Sequence, residues 1–169
     1  GDVKVTSVNP FGIVNTGSQG SAYFDGTGDY IISDTVTNNR FDLDADFCVE
    51  GWFYFTSLAG DQGVWGLQPA NGYAGIRLTT ESNLTLVLIS GQNTLNGTIT
   101  SNTAPIINQW NHIAVTRNAN TVTIWLNGAS VGSSTTATTG AWVGTNVFAI
   151  VGGGRNYGNG NIISFPGGY

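Results

Sequence analysis

An all-β fold, a two-sheet antiparallel β-sandwich of the jelly-roll kind, is what this sequence predicts, and three observations carry it. Of 169 residues, 40% are hydrophobic, only 9% are charged and 25 are glycine, a blend of strand formers and turn formers with no methionine. Apolar residues alternate at period two, and no window shows capped helical periodicity. These runs recur at short, even intervals with turn-rich breaks between them, the spacing of a sandwich or jelly roll.

In chain order the predicted strands are Val3–Ser7, Ser21–Phe24, Tyr30–Ile32, Asp46–Phe55, Gly63–Leu67, Ala74–Thr79, Leu84–Ser90, Gly97–Thr100, Trp110–Arg117, Thr121–Leu126, Val147–Val151 and Ile162–Phe165. The breaks NTGSQG, DGTGD, SLAGDQG, QPANG, SGQNTLNG and GGGRNYGNG hold the Gly, Asn and Asp that turns need. The patch GSSTTATTGAW (Gly132–Trp142) is of low complexity and is expected as an exposed loop. No repeat or linker divides the chain, so residues 1–169 form a single domain.

Two segments say most about the interior. DFCVEGWFYF (Asp46–Phe55) has aromatic residues on both faces, which predicts a central strand covered above and below, with Trp52 and Phe53 both buried. WNHIAVTRNANTVTIWLNG (Trp110–Gly128) predicts a β-hairpin. In it Ile113, Val115, Val122, Ile124 and Leu126 face a core, while Trp110, His112, Ala114, Thr121, Thr123 and Trp125 share the other side. That second side is either covered too or forms the floor of a groove. Asn118-Ala119-Asn120 supplies the loop, asparagine being tolerant of the left-handed conformation.

Composition excludes several functions. The net charge is −5 with five basic residues, too few for a phosphate-tracking stripe, so nucleic acid is not a partner and polybasic lipid contact is disfavoured. No stretch is long and apolar enough to insert in a membrane as a helix. The single cysteine, Cys48, excludes an internal disulfide and is expected as a small buried thiol. The chain opens on Gly1, which suggests a processed chain or a piece of a longer one.

Four segments carry a family likeness: SAYFDGTGDYI (Ser21–Ile31), DFCVEGWFY (Asp46–Tyr54), the Trp110–Gly128 hairpin and AIVGGGRNYG (Ala149–Gly158). In this order and spacing they resemble the laminin-G-like jelly roll of the concanavalin A-like lectin/glucanase superfamily, of the variety found in marine bacteriophage virion and tail proteins and in bacterial surface proteins. The resemblance implies that Trp110 and Trp125 pack behind the hairpin with His112 beside them. It also implies a closing strand directly after Gly168-Tyr169, where this chain stops. The expectation is therefore a segment of a longer polypeptide, with the edge beside Ser21–Phe24 open or covered by another segment.

Catalysis is not expected. The superfamily's glycanases carry two glutamates around an aspartate, whereas Glu50 and Glu81 are the only glutamates here and neither has a carboxylate at that spacing. No Ser-His-Asp pattern stands out. Asp42, Asp44 and Asp46 mimic the start of a calcium loop, but Phe47 stands where glycine is needed and no bidentate glutamate follows. Asp25 and Asp29 suit a turn better than a cation. No cofactor is implied, and a calcium ion lacks a complete ligand set.

What remains is binding. Sugar sites use flat aromatic faces with amides, Asp or Arg to fix hydroxyls, and sandwich loops supply these. Trp65, Tyr73, Arg77, Trp142, Arg155 and Tyr157 are the ligand-binding candidates, although core or rim packing is the ordinary fate of each. The expectation is a non-catalytic lectin-like adhesion module on a virion or cell surface, taking a glycan as partner. The alternative is a structural virion module that contacts neighbouring protein subunits.

Overall fold

The structure, a computed structural model, describes residues 3–7, 10, 20–33, 45–69, 76–80, 86–90, 97–135, 147–155, 162–164 and 166–168. Among the described residues every regular element is a strand: β1 (Lys4–Thr6), β2 (Ser21–Asp25), β3 (Ile31–Ile32), β4 (Phe47–Phe55), β5 (Gln62–Pro69), β6 (Ile76–Thr80), β7 (Leu86–Ser90), β8 (Gly97–Thr100), β9 (Trp110–Asn118), β10 (Thr121–Leu126), β11 (Ala129–Ser134), β12 (Val147–Val151), β13 (Gly153–Arg155), β14 (Ile162–Ser164) and β15 (Pro166–Gly168). They form a seven-stranded sheet in the order β1-β2-β15-β4-β9-β10-β11, a six-stranded sheet in the order β3-β12-β5-β6-β7-β8, and a β13–β14 ribbon. All pairings are antiparallel, as the sequence predicts for a jelly roll.

The core lies between the two large sheets. Phe24, Phe53, Phe55, Ile113, Val115, Val122, Ile124 and Leu126 come from the seven-stranded sheet and meet Val64, Leu67, Leu78 and Ile99 from the other. The hairpin obeys its alternation, since Ile113, Val115, Val122 and Ile124 are at most 1% exposed. Its tip departs from expectation in one respect. Ala119, not an asparagine, takes the left-handed conformation, with φ 48°. Its N–H donates to Asp46 Oδ1 at 2.7 Å, and that charge-assisted bond offsets the strain.

Asn127-Gly128 makes the second turn, with φ of 51° and 82°, the pattern of a type I′ hairpin. The Asn127 N–H donates to His112 O, and the His112 N–H donates back to Asn127 Oδ1, both at 2.8 Å. This reciprocal pair ties the asparagine–glycine turn to the backbone of β9 at His112.

Asn111 performs a similar task inside. It is 0% exposed, and its Oδ1 accepts from Ile106 N–H while its Nδ2 donates to Ile106 O and Gln109 O. Removing the carboxamide leaves those backbone groups unpaired next to the core. Asn111→Ala is therefore expected to cost about 2–4 kcal/mol, read from urea unfolding midpoints.

Three expectations are corrected. The edge beside Ser21–Phe24 is in part covered by this chain: Pro166–Gly168 pairs with β2 at Tyr23, Phe24 and Asp25 and with β4 at Tyr54 and Phe55. β2 thus has a neighbour from this chain on each side at Tyr23, while Ser21 and Ala22 pair with Thr6 and Val5 of β1. Secondly, β11 extends into the patch read as a loop, because Gly132 to Ser134 pair with Ile124 to Val122. Residues 136–142 of that patch lie outside the described residues.

Thirdly, β4 is central in its sheet, yet among the described residues apolar cover lies on one side only. Phe53 and Phe55 are buried, whereas Trp52 is 37% exposed and Cys48 is exposed rather than buried. A run with aromatics on both faces fits burial in two layers. It fits equally well one buried layer and an outer row of rings that shield each other, and the second arrangement is found.

Candidate functional site

The outer face of the seven-stranded sheet is where polar and aromatic side chains gather. Register sets its rows: Tyr54 lies opposite Trp110, Trp52 opposite His112, Glu50 opposite Ala114 and Cys48 opposite Thr116. The rows continue onto β10, where Ala114 faces Trp125, Thr116 faces Thr123 and Asn118 faces Thr121. Successive rows stand about 7 Å apart along the strands, two residues of extended chain. All these residues point away from the core because their immediate neighbours in sequence point into it.

Rings pair across the strands. Trp52 and His112 have centroids 5.2 Å apart at a tilt of 55°, and Tyr54 meets Trp110 edge-on at 5.6 Å and 70°. Such pairs contribute about 0.5–1.5 kcal/mol beyond area burial, which helps hold a wet aromatic face in order. His112 Nε2 also lies 3.4 Å from Glu50 Oε2, with Glu50 61% exposed. At that exposure the pair contributes little to stability.

Next to this row is an open groove of about 570 Å³ lined by Thr116, Asn118, Thr121, Thr123 and Trp125. Of the two possibilities that the alternation left for the hairpin's second side, this is the groove floor. The Trp125 Nε1–H donates to Thr116 Oγ1 at 2.8 Å, which satisfies the indole's one donor and sets the ring's orientation. Thr116 keeps its own hydroxyl proton for a further bond. Trp110 and Trp125, expected behind the hairpin, are half-buried on this outer face.

Slight desolvation of this largely exposed thiol first, and the negative charge of Glu50 second, push Cys48 above its ordinary range. At neutral pH the thiolate fraction is therefore small. Cys48 is expected to react with iodoacetamide several-fold more slowly than a free cysteine, and faster once Glu50→Gln removes the charge. Alkylation rates followed by mass spectrometry check this.

The residues singled out for ligand contact are placed differently. Trp65 lies in β5, is 5% exposed and belongs to the core cluster. Arg77 in β6 and Arg155 in β13 have described backbones, but their side chains, like Tyr73, Trp142 and Tyr157 entirely, lie outside the described residues. Asp25 and Asp29 serve the DGTGD turn: Asp25 Oδ1 accepts from Thr27 N–H at 2.7 Å, and Asp29 Oδ2 accepts from Asp25 N–H at 3.1 Å. Asp42 and Asp44 lie outside the described residues, and Asp46 accepts from the hairpin tip. The sequence places its ligand candidates among loop and rim aromatics, and offers the hairpin's second side as a groove floor without naming its residues as ligand contacts. The available signal was Thr121-Val-Thr-Ile-Trp125, whose polar side carries two hydroxyls and an indole and no aliphatic residue.

Comparison with known proteins agrees with this architecture. No curated protein sequence matches the chain. Among solved structures, domains LG4–5 of the mouse laminin α1 chain are 20% identical with a TM-score of 0.62, over 86% of this chain and 39% of that one. The chain thus spans well under half of that laminin fragment. The CBM40 module of the Ruminococcus gnavus IT-sialidase, bound to α2,3-sialyllactose, is 14% identical with a TM-score of 0.58, over 82% of this chain and 87% of that one. The binding domain of botulinum neurotoxin serotype C1 is 15% identical with a TM-score of 0.64, over 98% of this chain and 38% of that one. At these identities the likeness is one of fold. The sequence itself matches the family model over residues 13–167, and the chain belongs to the laminin-G-like branch of the concanavalin A-like lectin/glucanases superfamily.

Proposed function

We propose that the domain is a non-catalytic glycan-binding module displayed on a cell or virion surface. The observation that carries this reading is the groove itself. It joins one oriented indole to three threonine hydroxyls and an asparagine carboxamide on a rigid hairpin. An indole face packs on the apolar side of a pyranose ring, while hydroxyls and amides exchange hydrogen bonds with its rim. The solved neighbours bound to sialyllactose or named as binding domains support it by analogy of fold.

Hydrolysis does not fit the same face. Glycosidases need two carboxyl groups about 5 Å apart for retention, or about 6.5–9.5 Å apart for inversion. Along the chain the nearest described carboxylate to Glu50 is Asp46, just before β4, four residues away and so about 13 Å off in an extended chain. The partner of Glu50 is His112 instead. Glu81 lies outside the described residues.

The test is a glycan array followed by titration calorimetry on the hits. Trp125→Ala is expected to weaken the best hit about 30-fold, the loss of about 2 kcal/mol usual for a tryptophan anchor. Binding of glycans with full affinity by the Trp125→Ala variant would move the site elsewhere.

The second reading, a structural module that contacts other protein subunits, is favoured by different residues. Val5 on edge strand β1 is 85% exposed, and Ile31 and Ile32 on edge strand β3 are 48% and 44% exposed. Apolar edge strands invite pairing with another chain. A monomer by light scattering at high protein concentration, together with glycan hits, favours the first reading; stable self-association without hits favours the second.

A further inference from the structure

The charge around the groove distinguishes among glycans, an inference that rests on the glycan-binding reading. The five lining residues carry no ionisable group. On the same face the charged neighbour is Glu50, which lies opposite Ala114 while Ala114 lies opposite Trp125. Two inter-strand steps thus put it about 10 Å from the indole's strand. Among the described residues its close side-chain partner is the His112 imidazole, which sits on the side of Glu50 away from the groove's threonines.

Arg117 does not face the groove. It shares its register row with Phe47 and Val122, on the opposite side of the sheet, and its Nε–H donates to Ala119 O at 3.2 Å. At the tip the carboxylate of Asp46 accepts from Ala119 N–H. Among the described residues, then, the groove presents hydroxyls, a carboxamide and an indole, with anions at its margins and no cation directed into it. The whole chain carries −5.

We propose that this groove takes a neutral glycan, built of hexoses or N-acetylhexosamines, and discriminates against sialylated and sulfated ones. A carboxylate or sulfate entering the groove would shed water without gaining a counter-charge from the described residues, and the nearby anions would add repulsion. A neutral sugar has no such cost. Each of its hydroxyls can donate to or accept from Thr116, Thr121 or Thr123, and an acetamido group finds a complementary amide in Asn118. The groove therefore differs in ligand class from the sialyllactose-bound neighbour that shares its fold.

The experiment pairs oligosaccharides that differ only in a terminal sialic acid, for example a lactosamine and its α2,3-sialylated form. They are titrated against the wild type, Trp125→Ala and Thr121→Lys at low and high salt. The expected result is binding of the neutral member, at least about tenfold weaker binding of the sialylated one, and a gap that narrows as salt screens repulsion. Trp125→Ala should lose the neutral ligand. Thr121→Lys should gain sialylated ligand at low salt and lose that gain at high salt. Equal or tighter binding of the sialylated member, abolished by Trp125→Ala, overturns the neutral-glycan proposal while leaving a glycan site in the groove. Absence of binding to any glycan, or hits untouched by Trp125→Ala, overturns the site reading and this proposal with it.

Discussion

Gly152→Ala is expected to destabilise the domain by about 2–5 kcal/mol, because two costs add. Gly152 has φ 78°, and a left-handed conformation costs a non-glycine residue roughly 1–2 kcal/mol. The greater cost is steric. A Cβ there would fall 2.5 Å from Cδ1 and Cε1 of Phe24, a ring that is 0% exposed and has nowhere to retreat. Overpacking of that kind costs about 1–3 kcal/mol. The Gly152 N–H also donates to Val64 O at 3.1 Å, so a shift of its backbone would loosen the joint between β12 and β5. Gly128→Ala is the control. Its φ is 82°, but a Cβ there meets nothing within 4 Å, so only the cost of the backbone conformation should appear. Urea unfolding of both variants separates strain from clash, and equal losses would refute the clash with Phe24.

How far such features can be read in advance depends on what sets them. Ile113, Val115, Ile124 and Leu126 were legible because side-chain period two is a property of the extended backbone and needs no tertiary information. Trp52 and Cys48 were misplaced because alternation says which residues share a face, not whether another layer covers that face. Here the outer aromatics cover one another, with Trp52 against His112 and Tyr54 against Trp110. Pro166–Gly168 was illegible as a strand for a different reason. Proline and two glycines have low strand propensity, and the pairing is imposed by β2 and β4 on either side. The groove lay in plain sight as Thr121, Thr123 and Trp125, but its binding potential depends on the indole being oriented by Thr116, a residue on the adjoining strand.

The same alternation yields the second large prediction, in which adjacent residues part company. Ile124 is 0% exposed and sits in register with Val115 on one side and Gly132 on the other, in the centre of the core layer. Ile124→Ala is expected to cost about 2–5 kcal/mol, because the lost methylene groups leave a cavity that a sheet pinned on both sides cannot collapse. Its backbone conformation is unaffected, so the folded fraction should bind glycan with wild-type affinity. Trp125 points the opposite way, and its truncation removes a half-buried ring and one hydrogen bond to Thr116. Trp125→Ala should therefore cost less stability than Ile124→Ala while abolishing most of the binding. Urea unfolding and calorimetric titration on the two variants give four values, and the crossed pattern is the expectation. A loss below about 0.5 kcal/mol for Ile124→Ala, well under the usual core range, would mean that the hairpin's faces are reversed. The outer groove would then have no place on this sheet.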